Sequence, residues 1–157
     1  MKIQLVKATT SDAKAMRKMQ IESFIPHFQR YKDVSTNPVN ESLDKMLYRI
    51  KDEKGCYFKI MVNDRHSGCV WAYEIGPKQY RIGIMYISAE FQRKGVGQKA
   101  LVIAENLFPE AKSWELDCPA DLSLNRHCYE KVGYKLTGKT KMINDQLTLV
   151  FYRKDID

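Results

Sequence analysis

Apolar and polar positions alternate at the start of the chain and then recur at helical spacing. Residues 2–8 alternate, which predicts a first strand. Thr10-Ser11-Asp12 supplies side chains that cap helix N-termini, so a helix is predicted from there. We expect it to end near Phe24, because the residue before Pro26 is disfavoured in the helical conformation. Residues 25–38 mix aromatic and basic side chains without a clear period, and no element is predicted in them.

The rest of the chain alternates between helical and strand-like patterns. A second helix is predicted where apolar residues stand at i, i+3, i+4 and i+7, namely Leu43, Met46, Leu47 and Ile50. Beyond Gly55, six further strands and two helices are predicted. The strands are Tyr57–Val62, Cys69–Ile75, Arg81–Ser88, Ser113–Cys118, Tyr134–Ile143 and Gln146–Tyr152, and the helices are Gln98–Phe108 and Ser123–Val132. The order β-α-α-β-β-β-α-β-α-β-β predicts an α/β (α+β) fold, a mixed sheet with helices packed on it, in one domain over residues 1–157.

Composition and charge narrow the function classes only slightly. The chain is 44% hydrophobic and 29% charged, as is ordinary for a globular enzyme. Its net charge of +7 favours polyanionic partners. The lysines and arginines are scattered, however, so we interpret them mainly as a solvated basic surface and do not expect nucleic acid as the partner. No apolar run approaches the roughly 20 residues that a membrane span needs, and a membrane partner is not expected.

The four cysteines carry no recognisable metal or redox pattern. They stand far apart, without a CxxC pair or a zinc-ligand spacing, at Cys56, Cys69, Cys118 and Cys128. We therefore predict reduced thiols in a cytoplasmic protein and no metal site. Cys69 and Cys118 fall in strand-like runs and are expected in the core.

The most informative segment joins a predicted strand to a predicted helix. It reads Gln92-Arg93-Lys94-Gly95-Val96-Gly97 and follows the strand that ends at Ser88. The first N–H groups of a helix have no internal partner and attract anions, and the two glycines remove Cβ atoms that would keep a pyrophosphate away from the backbone. The spacing fits neither a P-loop nor a GxGxxG dinucleotide site. On these grounds alone, a phosphate cradle and a simple turn are both open.

Two motifs together resemble the GNAT superfamily of N-acetyltransferases, in particular a small, single-domain member of bacterial type. Residues 92–97 match its Q/R-x-x-G-x-G/A signature, although Ala89 replaces the usual preceding proline. Downstream, Asn125-Arg126-His127-Cys128-Tyr129-Glu130-Lys131-Val132-Gly133-Tyr134 resembles a second family block, with the asparagine, Tyr-Glu-Lys and Gly-aromatic positions in register. The family fold implies a mostly antiparallel sheet of about seven strands with about four helices. The implied reaction is transfer of an acetyl group from acetyl-CoA to a primary amine, by direct attack in a ternary complex.

The resemblance also implies residue roles for the donor. Backbone amides from Arg93 to Gln98 would hold the pyrophosphate of acetyl-CoA, within a site that spans Gln92, Arg93, Lys94, Gly95, Val96, Gly97 and Gln98. Main-chain groups of Ile87 and Ser88 would pair with the pantetheine arm, and Asn125 would contact the same ligand. Tyr129 would act as the general acid that protonates the departing thiolate. Cys128 is interpreted as a packing residue.

The proton acceptor and the acetyl acceptor are less clearly marked. The family's glutamate on the fourth strand corresponds to Arg81, so Glu74 acting through water and His127 are the candidate bases. For the small-molecule or peptide amine, we predict a pocket formed by Glu22, Phe24, Phe28 and Tyr31. A homodimer, a non-catalytic acyl-CoA sensor and a basic nucleic-acid-binding module stay open as alternatives.

Overall fold

The computed structural model describes all residues from Met1 to Asp157. It contains seven strands and four helices in the predicted order. The strands are β1 (Ile3–Lys7), β2 (Gly55–Val62), β3 (Arg65–Gly76), β4 (Gln79–Ile87), β5 (Ser113–Pro119), β6 (Lys135–Asn144) and β7 (Leu147–Asp155). The helices are α1 (Ala13–Tyr31), α2 (Leu43–Lys51), α3 (Val96–Asn106) and α4 (Ser123–Val132). The predicted fold class is confirmed.

All seven strands form one sheet in the order β1-β2-β3-β4-β5-β7-β6. Only β4 and β5 are parallel, and every other neighbouring pair is antiparallel. The buried side chains form two clusters, one that includes α3 and α4 and another that includes α1 and α2. The sheet is therefore covered by one pair of helices on each face. None of these helices is long and apolar enough to cross a membrane.

Helix α1 is longer than the sequence predicted. It continues through Pro26 to Tyr31, where Lys32 in a left-handed conformation ends it and its N–H donates to the Phe28 carbonyl at 2.8 Å. An interior proline costs about 3 kcal/mol because it removes one helical hydrogen bond. Packing on both sides of Pro26 offsets this cost: Phe24 packs edge-on against Tyr86 on the sheet, and Tyr31 is buried, with 2% of its surface exposed. Tertiary packing therefore overrides the local stop signal.

The turn between β2 and β3 is shorter than predicted. The predicted strands leave residues 63–68 between them, whereas β3 already begins at Arg65. Asn63 and Asp64 both have positive φ angles, 49° and 66°, and residues of these types tolerate this conformation better than others. Two consecutive left-handed residues make the tight hairpin turn that matches the twist of the strands, so a longer loop is not needed.

A bulge in β4 changes which face its side chains occupy. Trp71 of β3 lies opposite Ile84, and the next residue, Ala72, lies opposite Ile82, so Gly83 has no partner. Before the bulge, Ile82 packs in the α3/α4 cluster, and after it Ile84 packs in the α1/α2 cluster. An ideal Cβ atom at Gly83 would lie only 2.6 Å from a ring carbon of Trp71. The bulge therefore needs a residue without a side chain.

We predict that Gly83→Ala destabilises the fold by roughly 1–3 kcal/mol, because its methyl group overlaps two aromatic rings that cannot both move away. Besides Trp71, a ring carbon of Tyr73 would lie 2.7 Å from the added Cβ. Thermal and urea unfolding measure the effect. Gly76→Ala is the control, since its Cβ would meet only the flexible end of Gln79 at 3.3 Å. Equal unfolding midpoints for the two variants would contradict this packing.

Candidate active site

The site lies where β4 and β5 separate. The two strands pair at only three positions, from Gln79 opposite Ser113 to Arg81 opposite Glu115. Beyond these pairs, a cleft of about 670 Å³ opens between the strands. The turn after β4, the C-terminal half of α1 and one side of α4 also line it. A cleft between diverging parallel strands exposes main-chain groups on both walls to a ligand.

One end of the cleft is a row of free N–H groups. Between the end of β4 and the start of α3, the six N–H groups from Arg93 to Gln98 have no main-chain hydrogen-bond partner. Arg93 and Gly95 adopt positive φ angles of 62° and 77°, which turn the backbone at this point. The Gln92 side chain donates to the Ile87 carbonyl at 2.8 Å and ties the turn to the strand. This end of the cleft can therefore bind an anion, as a pyrophosphate requires.

The two glycines of this turn have different roles. A Cβ atom at Gly95 would meet no atom within 4 Å, so the positive φ angle is what favours glycine there. At Gly97, a Cβ atom would lie 3.4 Å from the sulfur of Cys128 on α4 and 3.7 Å from the end of Met85 on β4. A side chain larger than a methyl group at Gly97 would therefore have to enter either the space between α3, α4 and β4 or the cleft, which Gly97 also lines.

Main-chain groups at the end of β4 are only partly available to a ligand. The Ser88 N–H donates to the Ser67 carbonyl at 2.8 Å, and the Ser88 hydroxyl donates to the same oxygen at 3.1 Å. Because neighbouring residues of a strand point their N–H groups in opposite directions, the Ile87 N–H faces away from β3, toward the cleft. Of the two predicted positions, Ile87 therefore offers a free donor, whereas the N–H of Ser88 is used by β3.

Helix α4 places Asn125 and Tyr129 on the cleft wall one turn apart. Tyr129 is 7% exposed, and its ring packs against Tyr134 and Tyr152. Burial raises the pKa of Tyr129 far above its ordinary value, although the Asn125 side chain acts in the opposite direction. The phenol therefore keeps its proton at every pH near neutrality and can donate it. Burial also raises the pKa of the neighbouring Cys128 to about 11, so this residue is a thiol and a poor nucleophile.

Aromatic side chains of α1 form the opposite end of the cleft. Phe24, His27 and Tyr31 share one face of the helix, and the ring of Phe24 lies edge-on to Tyr86 at 5.7 Å. The Tyr31 hydroxyl donates to Asp121 at 2.7 Å. Burial lowers the pKa of His27, against a weaker opposite effect of Asp33. Aromatic rings therefore form part of the wall at this end of the cleft.

Five predicted site residues do not line the cleft. Glu22 is exposed on the opposite side of α1 from Phe24, because two helical residues turn the side chain through about 200°. Also absent from the lining are Phe28, Glu74, Ser88 and Lys94. Glu74 is paired with Tyr80 toward the far end of β3, which corrects its predicted placement beside the reacting groups. His127, by contrast, does line the cleft and is exposed.

Two carboxylates in the cleft were missed from the sequence. Asp117 lies on β5 just beyond the last pair with β4 and forms an ion pair with Arg81. Asp33 lies in the loop after α1 and is 8% exposed. The alternation of β5 could have identified Asp117, because it falls between the buried residues Leu116 and Cys118. No pattern marked Asp33. No group of three or more His, Cys, Asp or Glu side chains is arranged to hold a metal ion.

The sequence profile of the acetyltransferase (GNAT) family matches residues 14–134, which is more than half of the chain. A search of curated protein sequences finds no significant match. The chain therefore belongs to the acetyltransferase (GNAT) family on the strength of the profile, and it is an acetyl-CoA-dependent N-acetyltransferase.

Solved structures confirm the fold. A spermidine N-acetyltransferase from Vibrio cholerae, in complex with CoA and spermine, superposes with a TM-score of 0.78 at 17% identity over 98% of this chain and 95% of that one. The PaiA N-acetyltransferase from Thermoplasma acidophilum, in complex with coenzyme A, gives 0.77 at 16% identity over 99% and 100%. An aminoglycoside acetyltransferase in complex with coenzyme A gives 0.73 at 18% identity over 98% and 92%.

We predict that Gly97→Glu loses coenzyme A binding, because its side chain must enter either the space between α3, Cys128 and Met85 or the cleft. Gly97→Ala is the matched control, since its Cβ contacts of 3.4 and 3.7 Å are ordinary van der Waals distances. Titration calorimetry with coenzyme A measures both, and circular dichroism checks that each variant is folded. A folded Gly97→Glu variant with the affinity of the unsubstituted protein would refute the close packing at Gly97.

Proposed function

We propose that this chain transfers the acetyl group of acetyl-CoA directly to a neutral primary amine of a small molecule or peptide, with both substrates bound in the cleft. One observation carries the proposal: the same cleft has six free N–H groups at one end and a buried phenol on its wall. The first feature suits a pyrophosphate and the second suits a departing thiolate. Acetyl-CoA supplies the activated thioester, so no covalent acyl-enzyme is needed.

The turn before α3 is the proposed donor site. The N–H groups from Arg93 to Gln98 would bind the pyrophosphate, with the charges of Arg93 and Lys94 at the rim. The free N–H of Ile87 would bind the pantetheine arm, and Asn125 would contact it from α4. Gln92 positions the turn through its bond to the Ile87 carbonyl rather than by touching the ligand.

Tyr129 is the proposed general acid. When the amine attacks the thioester carbonyl, the C–N bond forms, the C–S bond breaks and the sulfur leaves with the electron pair. A proton must reach that sulfur, and the raised pKa of Tyr129 keeps its proton available throughout the neutral range. His127 also lines the cleft and is exposed, and solvent there would restore the proton to Tyr129.

Asp117, rather than Glu74, is the proposed partner of the reacting amine. It lies in the cleft at the point where β4 and β5 separate, whereas Glu74 is outside the lining. The ion pair with Arg81 holds its carboxylate in place. An alkylammonium group has a pKa near 10.4 and must lose a proton before it attacks. Asp117 would orient this group and accept the proton through water.

Two further points concern the protein as a whole. We propose one domain over residues 1–157, because all seven strands belong to a single sheet. We propose the cytoplasm as its location, because all four cysteines are free thiols, which persist in a reducing compartment. The amine acceptor is supported by the similar structures described above, two of which are a spermidine and an aminoglycoside acetyltransferase.

We predict that Tyr129→Phe retains coenzyme A affinity and lowers turnover by roughly 10²-fold, the usual contribution of a general acid. Since the folded-state pKa of Tyr129 is raised, the unsubstituted enzyme loses no activity through this group up to about pH 10. The deficit of the variant should grow with pH as solvent protons become scarce. Rates of thiol release measured from acid to alkaline pH test this. Equal rates for both proteins at every pH would remove Tyr129 from the mechanism.

The activity itself is tested by an acceptor panel. We expect acetyl-CoA with polyamines, amino acids, aminoglycosides and peptides to release thiol above the hydrolysis rate for at least one class of amine. Mass spectrometry of the product should show one added acetyl group. Tight coenzyme A binding without thiol release from any acceptor would favour the acyl-CoA sensor instead.

A further inference from the structure

The two ends of the cleft differ in charge, and the charge of one end is opposite in sign to the net charge of the chain. The sequence has 26 Lys and Arg against 19 Asp and Glu. Yet Arg93 is the only Lys or Arg among the residues that line the cleft, and it lies at the turn before α3. The other end contains two carboxylates, Asp33 and Asp117. In this basic protein, acidic groups thus lie where the second substrate would bind.

Asp33 is the only buried acidic residue of the chain. Its carboxylate accepts hydrogen bonds from Asn37 Nδ2 at 3.1 Å and from Thr36 Oγ1 at 3.5 Å, both of which are uncharged. No Lys, Arg or His forms an ion pair with it. Other shielded carboxylates of the protein do have such partners: Glu41 pairs with Arg49, Asp117 with Arg81, and Glu105 with Lys154.

The neighbouring imidazole does not supply the missing positive charge. His27 also lines this end of the cleft, and burial lowers its pKa, so it is neutral at neutral pH. A buried carboxylate without a cation costs free energy because it has lost its hydration. The local turn does not require that charge. The Thr36 and Asn37 N–H groups bond to the Asp33 main-chain carbonyl, and an uncharged amide oxygen would accept equally well from Asn37 Nδ2.

The walls around Asp33 suit an alkylammonium ion. The rings of Phe24 and His27 lie 5.6 Å apart in an edge-to-face arrangement, and Phe24 also contacts Tyr86. Aromatic faces and a carboxylate together bind organic cations, because the rings accept the methylene groups and attract the charge. Asp117 lies in the same cleft where β4 and β5 separate, and it is already paired with Arg81. The two carboxylates therefore differ in their surroundings: Asp117 has a cationic partner within the protein, and Asp33 has none.

We propose that Asp33 binds a second ammonium group of the acceptor, so that the enzyme acts preferentially on diamines or polyamines whose reacting amine lies near Asp117. This proposal rests on the acetyl transfer proposed above. The second ammonium stays charged and takes no part in bond making. It fixes the position of the acceptor and lowers its KM.

The test compares α,ω-diaminoalkanes of increasing length with n-alkyl monoamines of the same lengths. We expect the unsubstituted enzyme to favour diamines by about tenfold or more in kcat/KM, the size of one charge-assisted hydrogen bond. Asp33→Asn should remove that preference by raising KM for diamines, with kcat for diamines, the monoamine rates and KM for acetyl-CoA unchanged. Glu22→Gln, which removes an exposed carboxylate of the preceding helix α1 outside the cleft, is the matched control and should behave like the unsubstituted enzyme.

Three results would overturn the proposal. Equal losses with diamines and monoamines in Asp33→Asn, or a change in its melting temperature together with all rates, would assign Asp33 to the turn alone. Failure of the acetyl transfer is recognised separately by titrating diamines into the protein with coenzyme A. Diamine binding that Asp33→Asn abolishes supports the subsite even without turnover, and absence of diamine binding overturns it.

Discussion

The short parallel pairing between β4 and β5 is the constraint on which the site depends. Three residue pairs, ending at Arg81 and Glu115, hold the two halves of the sheet together before the strands separate. Arg81 then bridges the strands through Glu115 and Asp117, so the divergence begins at an ion pair instead of at unpaired backbone. Without this separation, the main-chain groups of β4 would be used up in the sheet, and no cleft would exist.

The bulge at Gly83 lies next to this separation and complements it. It exchanges the faces of β4, so that Ile84 and Tyr86 pack under α1 while Met85 and Ile87 belong to the side of α3 and α4. The strand thereby supplies the floor of both halves of the cleft. Trp71 packs over the bulge and fills the space that a side chain at residue 83 would need. Gly83 therefore affects both the stability of the sheet and the shape of the site.

The cleft separates two kinds of charge recognition. At one end, backbone N–H groups and a helix terminus form the proposed site for the anionic end of the donor, without any need for a particular side chain. At the other end, carboxylates and aromatic rings form the proposed site for a cation. Between them, burial keeps Tyr129 protonated and Cys128 in its thiol form, so the chemistry proposed for this wall is proton transfer and not nucleophilic catalysis.

The sequence by itself determined the order of the elements and marked the segment that we propose as the donor site. That site consists of a strand, a turn and a helix that are contiguous in the chain, so the glycines of residues 92–97 and the spacing to Tyr129 mark it locally. Only the tertiary structure decided the acceptor end, where α1, the loop at Asp33 and β5 meet from distant parts of the chain. The tertiary structure also extends α1 past Pro26 and places Glu74 and Glu22 outside the cleft. Contacts of that kind depend on how faces pack against the sheet, and no short pattern of residues records them.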